Sequence, residues 1–110
     1  MNELEKKLRQ GLYVDNLREM VGLCSALMQH AKHRVPLYVL QSVLFDLLQV
    51  WGEGPQTREE VCRAEKALLE PSLRLVGSLR ANQPMQDQIE ILDELVASFL
   101  VLVVFLGVFV

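Results

Sequence analysis

The sequence has little of what catalytic and cofactor sites are built from. It holds two cysteines and two histidines, and neither Cys24 nor Cys62 belongs to a Cys-x-x-Cys pair or adjoins a basic triad that would activate a thiol. No Gly-x-Ser-x-Gly elbow, Gly-Lys-Ser/Thr phosphate loop, dinucleotide Gly-x-Gly-x-x-Gly or Glu-x-x-His is present. These absences remove the hydrolase, nucleotide-binding and di-iron bundle patterns, and no cofactor is expected. Two cysteines are also too few for a disulfide framework. Positive charge is scarce: no Lys or Arg follows Arg80, and the net charge is -3. A general nucleic-acid binder needs clustered cations to displace counterions from phosphates, so nucleic acid is not an expected partner. The start of the chain, with Glu3, Glu5, Lys6 and Lys7, lacks the apolar run of a signal peptide. The expected setting is therefore cytoplasmic, with reduced thiols.

What is present is apolar sequence at helical spacing. Of the 110 residues, 51% are apolar, enough for one domain to bury a core without disulfides or a structural metal. Leu4 and Leu8 mark a short charged helix over 2–9. Leu17, Met20, Val21, Cys24, Leu27, Met28 and Ala31 share one face of a helix expected over 16–34, with Asp15 or Asn16 as its cap and Lys32, His33 and Arg34 in its last turn. Pro36 suits the first turn of a third helix, so apolar that only Gln41, Ser42, Asp46 and Gln49 form a polar strip. Gly52-Glu53-Gly54-Pro55 divides the single domain 1–110 into two helical halves, 1–52 and 56–110. Thr57-Arg58-Glu59-Glu60 is a capping box opening a fourth helix, in which Pro71 predicts a kink or a split. Pro84 opens the last helix, with Met85, Ile89, Leu92, Val96 and Phe99 on one face and Asp87, Glu90 and Glu94 on another. The fold class is all-α: a small bundle of four to five helices whose last helix is apolar on all faces.

That last helix is the unusual feature. From Leu95 to Val110 no residue is charged, and three of the four phenylalanines fall there. Such a surface must be covered, and a chain this small has little volume with which to enclose a whole helix. The expectation is a non-catalytic interaction module that forms a homo-oligomer, or binds a helical protein partner, through Leu95, Phe99, Leu102, Phe105, Leu106 and Phe109. The competing reading is a tail anchor over 95–110, although spanning about 30 Å of hydrocarbon takes roughly 20 helical residues. A strand is a further alternative, since six valines occur from Val96 onward.

Other constellations are weaker. His30 and His33 stand one helical turn apart, but two imidazoles do not make a metal site. With Lys32 and Arg34 they form a cluster suited to a phosphate or a lipid headgroup. Asp46, in the most apolar helix, would do acid–base work only if buried against a partner, which makes a small helical enzyme the third reading. No small-molecule substrate follows from it. Trp51, Met20 and Met28 fit either the core or a partner groove.

Overall fold

Helices form at each of the five places where the apolar spacing asks for one. In the computed structural model, which describes residues 1–52 and 56–106, the order is α1 (Asn2–Gln10), α2 (Val14–Met28), α3 (Val35–Trp51), α4 (Arg58–Arg80) and α5 (Met85–Phe105). No strand occurs among the described residues. The protein is an all-α bundle. Helix α2 packs chiefly on α3 and α4 on α5, while α1 bridges α2 and α4 and α3 meets α5. One apolar cluster runs through all five helices, from Leu4, Leu8 and Leu12 through Leu17, Leu40, Leu44 and Leu47 to Leu68, Leu75, Leu95 and Phe99. Trp51 and Met20 belong to this core and do not face a partner groove, while Met28, half-buried, packs against it.

Several boundaries differ from expectation. Helix α2 begins at Val14 and stops at Met28, six residues short of Arg34. Its end is tightened by i to i−3 hydrogen bonds from Gln29 N to Ala26 O and from His30 N to Leu27 O, both 3.2 Å. Arg34 then donates from Nε to Met28 O at 3.1 Å and stands as the N-cap residue of α3. The chain must turn back for α3 to lie on α2, so Lys32, His33 and Arg34 occupy a connection and not a last helical turn. Asn16 does not cap α2. It is buried, and its Nδ2 donates to Lys7 O and Gly11 O, both 2.6 Å, closing the carbonyl end of α1 from the neighbouring helix. The capping box forms as written: Thr57 Oγ1 accepts from Glu60 N at 3.1 Å, and Thr57 N donates to Glu60 Oε1 at 2.9 Å. Pro71 leaves α4 a single helix. Its ring is buried among the core-facing positions Leu68, Ser72 and Leu75, and that packing offsets the missing backbone bond. Residues Glu53 to Pro55 of the Gly/Pro break lie outside the described residues.

Candidate functional site

Helix α5 is built from two unlike halves. Its buried positions are Gln88, Leu92, Leu95, Phe99 and Leu102, a 4-3-4-3 spacing that lays a narrow seam against the rest of the bundle. Ile89 and Val96, expected on that seam, point outward. Up to Glu94 the outer side is charged by Asp87, Glu90, Asp93 and Glu94, so the helix as a whole is not apolar on every face; only its second half is. There the outer side consists of Val96, Leu100, Val101, Val104 and Phe105, which are 37% to 71% exposed. Residues 96–105 are helical and not a strand.

The six residues expected to make an interface divide accordingly. Leu95, Phe99 and Leu102 are buried in the protein's own core and offer nothing to a partner. Phe105 is exposed, Leu106 is half-buried against the core, and Phe109 lies outside the described residues. Leu100, Val101 and Val104 are exposed in their stead. They were missed because a wholly apolar segment has no polar side from which to read its orientation. Beside them a groove of about 400 Å³ runs between α4 and α5, lined by Ala67, Ala97, Ser98 and Val101. Arg63 closes one end, its guanidinium carbon 3.7 Å from the centroid of the Phe105 ring, a cation–π contact that keeps a charge over the exposed aromatic face.

A second concavity, of about 490 Å³, lies at the end of the bundle where the α2–α3 and α4–α5 connections meet. It gathers His30, Lys32 and His33 with Asn82, Gln83 and Gln88. Arg34, expected in the same cluster, is engaged at the end of α2 and does not line it. Gln88 is 3% exposed; its Nε2 donates to Gln83 O at 3.2 Å, and its Oε1 is buried without a hydrogen-bond partner.

The remaining candidates are solvated or inert. Asp46 is exposed on α3, in a shallow depression with Val21, Tyr38, Gln41, Ser42 and Phe45 and no histidine, lysine or arginine among its lining residues. Burial pushes the Cys24 thiol up to about 12, which leaves it protonated and unreactive, whereas Cys62 is exposed. Among the described residues no group of three or more His, Cys, Asp or Glu is placed to hold a metal ion, and no helix is long and apolar enough to cross a membrane. No family model, curated protein or solved structure matches the chain.

Proposed function

We propose that the protein is a non-catalytic helical association module that pairs with a second copy of itself through the outer side of α5. The observation that carries this reading is the uninterrupted apolar strip Val96, Leu100, Val101, Val104 and Phe105, all substantially exposed on an ordered helix. Such a strip covers on the order of 500 Å², toward the upper end of the largest apolar patch that a soluble monomer normally shows. Lateral charge favours a second copy over an unrelated helix. Two α5 helices laid antiparallel and centred near Leu100 set the apolar halves against each other. The Arg63 that sits over Phe105 then comes within about a turn of the partner's Asp93 and the partner's Glu94. One two-fold contact therefore satisfies the apolar strip and places opposite charges at both of its ends.

Light scattering coupled to size-exclusion chromatography of the full chain, in detergent-free buffer at about 100 µM, tests the reading at a concentration where even weak pairing with a Kd near 10 µM is visible. A dimer is expected. The double substitution V101E and V104E, on exposed positions, should yield a monomer with unchanged helical circular dichroism. A monomeric wild-type chain overturns the reading. So does wild-type protein that floats with phosphatidylcholine vesicles instead of pairing, the result a membrane anchor would give.

A further inference from the structure

The cleft at the end of the bundle is independent of the α5 strip and has a different chemistry. In a chain of net charge -3, its described lining includes Lys32 and two histidines and no aspartate or glutamate. Lys32 and the two imidazoles line one cleft with no carboxylate among its lining residues, so an anion seated there is attracted by the lysine charge and accepts from the imidazole N–H groups. The start of α5 adds to the same field. Met85, the first residue of this 21-residue helix, lines the cleft, and the N-cap Pro84 supplies no side-chain hydrogen bond to the opening N–H groups. The positive end of the helix dipole, with the N–H groups of Met85 and Gln86, therefore borders the cleft, and Asp87 of the same turn is not among the cleft's lining residues. Inside, the buried Gln88 has an acceptor, Oε1, that no residue satisfies, an arrangement that native proteins usually complete with a partner. Lys32, imidazole and helix N–H donors and one buried acceptor together match a group with several anionic oxygens and one O–H, the make-up of a phosphate monoanion or of a hydroxylated phosphate monoester.

We infer that this cleft binds a phosphate monoester, held by Lys32, His30, His33 and the first turn of α5, with one O–H of the ligand, on the phosphate or beside it, donating to Gln88 Oε1. A carboxylate, with two oxygens, would leave part of this donor set unused. The monoester comes either from a small soluble molecule or from the headgroup of phosphatidic acid.

The test is an amide NMR titration of the full chain with inorganic phosphate and with glycerol 3-phosphate. It is paired with co-sedimentation on phosphatidylcholine vesicles containing phosphatidic acid or, as a diester control, phosphatidylglycerol. Saturable shifts are expected at Met85, at Gln86 and at the Gln88 side-chain amide, with a Kd on the order of 1 mM for glycerol 3-phosphate and weaker binding of inorganic phosphate. The exposed-site double variant K32Q and H33Q should raise that Kd at least about tenfold, a loss of roughly 1.4 kcal/mol. K66Q on α4 should leave it unchanged. Selective sedimentation with phosphatidic acid would identify a lipid as the source, and saturation by glycerol 3-phosphate alone a soluble ligand; either supports the assignment. It is overturned if neither form saturates, or if K32Q/H33Q, folded by circular dichroism, binds as the wild type does.

Discussion

Leu12 joins α1 to α2, and its peptide is gripped from two other helices. Trp51 Nε1 at the end of α3 donates to Leu12 O at 3.0 Å, and Leu12 N donates to Glu65 Oε2 on α4, also at 3.0 Å. The preceding Gly11 has φ of 118°, and a Cβ there would stand 2.6 Å from the same Glu65 oxygen. Glycine is thus required both for the backbone angle and for the close approach of the carboxylate. The expected consequence falls on Trp51. Replacing it by Phe keeps an aromatic ring in the core but strands the buried Leu12 carbonyl, so Trp51→Phe should lose about 1–3 kcal/mol of unfolding free energy. Urea denaturation followed by circular dichroism measures it; a loss below about 0.5 kcal/mol, the scale of an ordinary surface substitution, would show that the bond does not hold this loop. Nothing in the local sequence marks Trp51, Glu65 or Asn16 for this work, because each acts on a segment at least five residues away along the chain or on another helix.

Helix α1 is short and strongly charged, and ion pairs tie its outer side to its neighbours. Glu5 accepts from Arg9 on its own helix at 3.2 Å and from Arg80 at the end of α4, while Lys7 donates to Glu19 on α2. The hydrogen bond from Arg9 holds the Glu5 carboxyl below its ordinary value of 4.5; partial desolvation opposes this, and Arg80 adds to the lowering. A carboxyl whose folded-state pKa is depressed contributes stability above its unfolded pKa and loses it as pH falls through the folded value. The advantage of the wild type over Glu5→Gln in urea midpoint should therefore be level from about pH 7 to about pH 5 and vanish below the ordinary carboxylate range. An advantage that persists unchanged in acid would mean that Glu5 acts through packing and not through charge. Because both arginines are exposed and Glu5 is partly so, the effect should be small and should shrink with added salt. Lys7 behaves in the opposite sense. The hydrogen bond to Glu19 raises its pKa above 10.5, so its contribution is complete below that value and is lost only as pH rises through the folded pKa.

At the scale of the whole molecule, an apolar strip left on one helix makes stability depend on concentration. If two copies cover it, the folded dimer is favoured by mass action, and the thermal midpoint should rise with protein concentration in the wild type but not in V101E/V104E. Calorimetry over about a hundredfold range of concentration checks this; identical, concentration-independent midpoints for the two proteins would leave α5 without a partner copy. The strip also explains why the bundle itself can be so economical. Leu92, Leu95, Phe99 and Leu102 already complete the internal core from one side of α5, so the apolar residues on its other side are surplus to the monomer's folding.

Much of the architecture is legible in the sequence. The all-helical class, a bundle of four to five helices, the start of α4 at its capping box and the start of α5 after Pro84 rest on periodicity, caps and proline geometry, which act within a turn or two of chain. Tertiary structure alone decided which side of α5 is covered, where α2 yields to a connection, that Pro71 leaves α4 whole, and that His30, Lys32 and His33 share a cleft with Gln88. Each of these is an interaction between segments distant in sequence. The orientation of a uniformly apolar helix is selected by the shape of the core it must fill, and uniform hydrophobicity carries no record of that choice.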